Sequence, residues 1–468
     1  MKRIVIVALF VSGFASYAVS GQIVATTSDY VSANSAIYDT VTGEFRPNAF
    51  GHADQDVVVD TDGESVYFIE RTYGAVSKYD PDTIAVEDMV YQYSVGTGTN
   101  PVDIVFLDSK AYVICYAASE ILIIDQNAGD EASFTLGTID ISSYDTNGVP
   151  EAIHGFVYKG MLYVVLQRLN GWAADVPGYL LKIDPETDSV VDLVPETNGI
   201  QGMELLVKNP QWFSLVGSGL YIAGHNWGEQ TEGVQVVDLD ELDVASPRLG
   251  AAQFMLLDES AMAMDITGVN VLSMDYGIFY SSGWIQDDAG NWVQVGAAYW
   301  FDPKTGSMGE ALPVPTPDGG AVMADGIAYI GSRDDSVPGI YAVDPLSNSI
   351  VGEPMLTTLP PVSIVYVSEE PTIVERDAAG PSAFKLAAPH PNPFNPRTTI
   401  SYTLTVSGRV VIDVFNVAGQ RVEKLADSFM QAGVHNIQWN AEHNPSGVYF
   451  IRIKQAGVTG TVRVTLCK

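Results

Sequence analysis

The sequence predicts an all-β chain: a seven-bladed β-propeller whose last blade is closed by strands from both ends, followed by a small antiparallel β-sandwich. Three observations predict it. An apolar strand closing on an aspartate recurs seven times between Gln22 and Val367. The N-terminal copy lacks a first strand that the C-terminal end of the body supplies. The last stretch of chain then changes to short alternating runs separated by glycine turns.

The repeat is marked by IYD at Asp39, KYDP at Asp80, IID at Asp125, KIDP at Asp184, VVD at Asp238, WFDP at Asp302 and AVDP at Asp344. Their spacings of 41, 45, 59, 54, 64 and 42 residues suit four-stranded blades with some long loops. A carboxylate at the end of a strand can cap the turn that follows, so these aspartates read as hairpin punctuation and not as catalysts. Upstream in each unit stand an apolar strand, a tight turn and a second strand carrying an aromatic residue, as in DIVFLDSKAYVICY and HGFVYKGMLYVVL. The turn Asp60-Thr61-Asp62-Gly63 has an Asp-x-Asp-Gly spacing, but the other ligands of a calcium loop are missing.

The phase of the repeat bears on closure. The N-terminal copy has only IVATTSDYV and SAIYDTVTGEF, whereas PVSIVYV at 361–367 is a lone strand matching NPVDIVFL at 100–107. Six full units and one assembled from the two ends make a ring without free sheet edges. In blade pattern the body, taken as 22–367, resembles YVTN-type and related propeller proteins. That resemblance implies a fold and no single activity, because propellers carry enzymes and binding platforms alike.

After a linker at 368–385, rich in charge, proline and small residues, the tail reads PHPNPFNPRTTISYTL, GRVVIDVFNVAGQRVEKL, AGVHNIQWN and SGVYFIRI. The prolines around Asn392 and Asn395 exclude helix and leave Phe394 as one apolar anchor. Period-2 runs at 399–404, 410–415, 435–439 and 448–453 fit a small sandwich. In its order of motifs the segment 386–468 resembles the C-terminal sorting domain of type IX secretion cargo, an Ig-like module. The resemblance implies secretion or surface attachment by way of the periplasm, with the type IX machinery as a partner.

The N-terminus agrees with export: Lys2-Arg3, an apolar run at 4–15 and small residues near Ala18 read as a signal peptide over 1–20. No later apolar run approaches the roughly 20 residues of a membrane span, so no transmembrane segment is expected. The formal charge is −34; residues 377–468 carry nine Lys/Arg against five Asp/Glu, or +4, which leaves −38 for the remainder. A field of that sign repels phosphate backbones, so nucleic acid is a poor partner. The two cysteines, Cys115 and Cys467, lie in different expected domains and outside any CxxC, which argues against a structural disulfide or redox pair.

Function is sought where the inner strands open onto the channel. Alignment on the second-strand aromatics places Asp56, Asp103, His154, Trp212, Asn270, Gly320 and Ser363 there. The loops after the second strands add Arg71 and Tyr73, Arg168 and Trp172, His225 and Trp227, Trp284 and Trp292, and Arg333, so that five of the seven tryptophans fall near one face. Indole faces suit a sugar ring or another apolar surface. The leading expectation is a binding protein for an extracellular carbohydrate or protein, with Asp56, Asp103, His154, Trp212, Asn270, Arg71, Arg168, Trp227, Trp284 and Arg333 as ligand-binding candidates. The alternative is a cation-dependent lyase or lactonase-like hydrolase using Asp56, Asp103 and His154 in the channel. His52, His154 and His225 are the only body histidines. No G-x-S-x-G or phosphate loop is present, and no cofactor is expected.

Overall fold

The protein is described from a computed structural model covering residues 21–63, 65–81, 89–107, 109–171, 173–193, 201–224, 233–250, 265–286, 292–368, 384–386, 389–404, 408–416, 421–430, 433–455 and 458–468. The expected signal peptide and most of the expected linker lie outside these residues. Among the described residues the chain is mostly β-strand with almost no helix, and no helix is long and apolar enough to cross a membrane.

Between Gly21 and Ser368 the strands form seven sheets, each an antiparallel meander read outward from its first strand. In chain order the first strands are Val57–Thr61, Pro101–Leu107, Ala152–Tyr158, Pro210–Val216, Asp265–Val271, Pro317–Ala324 and Pro361–Ser368. Each touches the next, and Pro361–Ser368 returns to Val57–Thr61, so the architecture is propeller-like. The seventh sheet joins the chain ends. Pro361–Ser368 pairs antiparallel with Gly21–Ser28, Val367 opposite Gln22, and Ala33–Asp39 and Phe45–His52 complete it.

The second strands explain why this packing is stable. Val66–Glu70 is buried at every residue, and Lys110–Cys115 and Met161–Leu166 are buried throughout after their first. A strand covered on both faces loses polar alternation and reads as a continuous apolar run. Seven apolar cores result, each between consecutive sheets. Tyr67 and Phe106 sit between the first and second, Phe279 and Tyr221 between the fourth and fifth, and Val24 and Phe68 between the seventh and first. A wholly buried Phe such as Phe279 contributes about 2–3 kcal/mol.

The seven punctuating aspartates end or directly follow the third strands. Asp39 Oδ1 accepts from the N–H groups of Val41 and Thr42, each at 2.8 Å. Asp125, Asp184, Asp238, Asp302 and Asp344 accept from the N–H two residues on at 2.8–2.9 Å. Backbone N–H bonds hold the Asp39 carboxyl below its ordinary pKa, and in Asp302 and Asp344 the hydroxyls of Thr305 and Ser347, followed by the backbone N–H two residues on, do the same.

The tail forms two further sheets around one core. Phe384–Leu386, Arg397–Leu404 and Gly433–Asn440 make one; Arg421–Met430, Gly408–Asn416, Gly447–Gln455 and Val458–Leu466 make the other. Trp439 is fully buried between them, its indole N–H donating to Glu423 Oε2 at 2.9 Å and its ring 5.3 Å from that of Phe394. Phe394 is 2% exposed and bonds through its backbone to Thr465 and Cys467. The stiff lead-in is therefore stitched along the last strand.

Candidate functional site

Among the described residues no hydrogen-bonded ladder links one inner strand to the next, so backbone N–H groups facing the channel need side-chain acceptors. The inner strands supply them. Asp103 Oδ2 accepts from Gly155 N–H, Ser363 Oγ from Val59 N–H and Ser214 Oγ from Val271 N–H, each at 2.8 Å. Part of the polar ring is thus a set of staples between neighbouring sheets.

Asp103 stands at the channel's waist. Its Oδ1 accepts from Ile104 N–H at 2.9 Å and its Oδ2 lies 3.4 Å from His154 Nδ1, while His154 Nε2 donates to the Gln211 carbonyl at 3.1 Å. The neighbour that completes this group is Asp60, which the sequence places only in a turn. Its Oδ1 accepts from Thr61 N–H at 2.7 Å, and its carboxyl hydrogen-bonds that of Asp103. Burial first, and the charge of Asp103 second, push the Asp60 pKa well above the usual carboxylate range, so that Asp60 keeps its proton to higher pH than an ordinary carboxyl.

That proton has a stability consequence with a definite sign. The unfolded chain releases it near pH 4 and the folded protein holds it to higher pH, so stability falls as pH rises between the two. Asp60→Asn keeps a donor toward Asp103 and has nothing to ionise. Its melting temperature is expected to exceed wild type at pH 7–8, at roughly 1–2 °C per kcal/mol gained for a body of this size, and the gap should close toward pH 4. A thermal melt series across pH checks this; a constant gap would show that Asp60 carries no such proton.

Two cavities meet at the waist, and Asp60, Asp103 and His154 line both. One, of about 870 Å³, opens among the turns that follow the inner strands and includes Asn270. The other, of about 1090 Å³, opens among the loops that follow the second strands and includes Tyr30, Arg71, Trp212, Arg333 and Ser363. Here the ring of Trp212 lies 6.5 Å from that of His154. Arg71 pairs with Asp56 at 3.1 Å and donates from Nε to Asn100 Oδ1 at 3.1 Å, and Arg333 Nη1 donates to the Pro361 carbonyl at 2.8 Å.

The structure thus brings Asp103, His154, Trp212, Arg71 and Arg333 to one mouth, with Asp56 reaching it through Arg71. Asn270 falls at the opposite mouth, where it accepts from Tyr280 Oη at 2.9 Å. Arg168 is taken up elsewhere: its guanidinium lies 3.8 Å over the Tyr179 ring and donates to the carbonyls of Tyr144 and Pro177. Trp172, His225 and Trp227, and the side chains of Trp284 and Trp292, lie outside the described residues. His52 is a packing residue between Phe50 and Phe68; burial lowers its pKa to about 4, and its Nε2 bonds Ser35 Oγ at 2.7 Å.

The pairing registers show where Asp56 and Asn270 part from the other ring positions. Extra residues interrupt the register in the inner strands after Pro101, Ala152, Pro210 and Ile266, bringing Asp103, His154, Trp212 and Gly268 opposite the second strand at equivalent points. Val57–Thr61 pairs with Val66–Glu70 without such a shift, and its equivalent residue is Val58. A bulge of this kind displaces a side chain without marking the sequence.

Three contributors were missed. Asp60 is one. Tyr30 is another: φ is +63°, unusual for a bulky residue, its N–H donates to Ser28 Oγ at 2.8 Å, and its ring is 54% exposed, 5.8 Å from the Arg333 guanidinium. Asp318 is the third, open to solvent yet deep within the mouth; burial raises its pKa to about 6 although Arg333 opposes the shift. Among the described residues no three His, Cys, Asp or Glu side chains converge as a metal-binding set. In the Asp-x-Asp-Gly turn, Asp62 is engaged by Ser65 N–H and Tyr67 Oη.

Residues 389–466 match the family described as the secretion system C-terminal sorting domain, so the tail is a type IX sorting tail that marks the protein for export, to be secreted or held at the cell surface. No curated protein matches the sequence. Among solved structures, apo AztD from Citrobacter koseri aligns over 75% of this chain and 98% of its own, with 13% identity and a TM-score of 0.44. The periplasmic gluconolactonase PpgL from Pseudomonas aeruginosa aligns over 74% of this chain and 99% of its own, with 11% identity and a TM-score of 0.47. TolB from Acinetobacter baumannii aligns over 62% and 65%, with 11% identity and a TM-score of 0.33.

Proposed function

We propose that this chain is a secreted or surface-attached binding protein: a seven-bladed propeller that takes an extracellular carbohydrate or protein ligand at one channel mouth, exported by an Ig-like sorting domain. The observation that carries the reading is Tyr30, a strained and outward-facing aromatic beside Arg333 on the rim of a cavity of about 1090 Å³. Strain of this kind costs about 1–3 kcal/mol and collects at functional positions. Trp212 gives the same cavity a second aromatic wall, and the two arginines give it donors. That volume is at the upper end for small-ligand sites.

The test is binding of the intact protein to an immobilised glycan library and to a panel of basic and neutral proteins, with Trp212→Leu as control. Leucine keeps apolar volume against Gly268 and removes the flat face. Loss of binding on the order of tenfold, about 1.4 kcal/mol, with an unchanged melting temperature supports the mouth as the site. Equal binding by both proteins counts against it.

A second reading draws on the raised carboxyl of Asp60 next to Asp103, whose Oδ2 lies 3.4 Å from His154 Nδ1: acid–base hydrolysis or elimination at the waist. Turnover of a lactone or uronate polymer by wild type, abolished in Asp103→Asn, would favour it over pure binding.

A further inference from the structure

A cleft of about 440 Å³ runs outward from the channel mouth between the fifth and sixth sheets. It is continuous with the larger cavity, since Thr267, Asp318 and Arg333 line both. Among the described residues its lining includes no aromatic side chain; hydroxyls of Thr267, Ser281 and Thr316, the carboxylates and one guanidinium dominate. Asp334 is already engaged by its own loop, accepting from Ser336 N–H at 2.9 Å, Val337 N–H at 3.2 Å and Ser336 Oγ at 2.5 Å. Asp318 is faced by Arg333. The carboxylates are therefore partly compensated, which weakens the case for a basic ligand, while the strongly negative body disfavours an anion. Mixed donors and acceptors at close spacing suit a neutral ligand dense in hydroxyls.

The backbone supports a built surface. Thr316, a β-branched residue, is held at φ +37° on the cleft wall, its carbonyl accepting from Arg333 N–H at 2.9 Å. Gly296 leaves the cleft open: a Cβ there would meet nothing nearer than 3.7 Å.

We propose that this cleft is an extension subsite for a neutral oligosaccharide, which lays one sugar ring at the aromatic mouth and runs its next residues outward past Arg333 and Asp318. The inference rests on the carbohydrate form of the reading above. Vicinal hydroxyls can donate to Asp318, and Arg333, shared by mouth and cleft, can donate to oxygens of either ring.

Calorimetric titration of the intact protein with cello-, xylo- and manno-oligosaccharides of increasing length tests it. For the series that binds, affinity is expected to rise about tenfold or more between one or two residues and four. Gly296→Phe, which fills the cleft, should erase that rise and leave binding of the shortest sugar unchanged; Asp318→Asn should reduce it. Binding that is independent of length, or a rise that survives Gly296→Phe, overturns the subsite while leaving the mouth site standing. Absence of binding across all three series overturns the subsite as stated here, and capture of a basic peptide that Gly296→Phe blocks would assign the cleft to a different ligand class.

Discussion

Deletion of residues 387–468 is expected to leave the protein in the periplasm of a type IX-competent host while the body melts as it does in the full chain. The first half of this follows from the sorting tail. The second follows from how the cores divide. The seven cores of the body draw on residues from Ile23 to Val367, whereas the tail's core draws on residues from Phe394 to Leu466, and the two sets share no member. The last strand of the body ends at Ser368, before the deletion begins. A unit with its own core and a terminus at a linker loses little when its neighbour is removed. Cell fractionation together with a thermal melt of the purified truncation reads both halves. Normal secretion of the truncated chain would defeat the sorting role, and a lowered melting temperature would show that the tail supports the ring.

Tyr30→Gly is expected to abolish ligand binding at the mouth without destabilising the fold. In most proteins an aromatic-to-glycine change is costly because buried area is lost; here the ring is 54% exposed, and the backbone already adopts the left-handed conformation that glycine prefers. Relief of strain, about 1–3 kcal/mol, offsets the roughly 0.5–1 kcal/mol of extra chain entropy that glycine loses on folding. The melting temperature should therefore stay level or rise. Tyr30→Ala separates the two effects, since it removes the ring and keeps the strain; it should bind as poorly and melt lower than Tyr30→Gly. Wild-type affinity in the glycine variant would mean that Tyr30 is a turn residue with no share in recognition.

What was legible in the sequence was local or periodic. The aspartates at strand ends could be read as turn caps because a carboxylate bonding an N–H two residues on needs nothing from elsewhere in the chain. The pairing of Pro361–Ser368 with Gly21–Ser28 could be read because a repeat out of phase leaves a missing strand at one end and a spare one at the other. Phe394 stood out as the one apolar residue in a polar, proline-rich stretch. The site was less legible. Asp56 left the ring because its inner strand lacks the register shift that the next three carry, and Asn270 stands two residues beyond Gly268, the equivalent point of its strand; one residue more or less in a strand has no signature of composition. Asp60 looked like part of a turn because its partner, Asp103, comes from the next sheet. Nothing in the residue type of Tyr30 reveals a positive φ. Asp318 sits where the pairing of Pro317–Ala324 skips from Pro317 to Ala321, a register that the sequence does not disclose.

The seam between Gly21–Ser28 and Pro361–Ser368 also acts as a gauge of chain length. Thr26 and Ser363, joined there at 2.8 Å, are 337 positions apart. Loop closure over so long a span adds little entropy cost beyond that of a much shorter one, because the cost grows only with the logarithm of length. The requirement it imposes is on order: the first strand of the body stays bare along one edge until the last has been made, and an open apolar edge is a site for stray pairing. The residues that end the vulnerability are followed, after a short connection, by those that mark the chain for export. Completion of the ring and possession of a destination are therefore reached within the same final quarter of the chain, and a chain that stops earlier has neither.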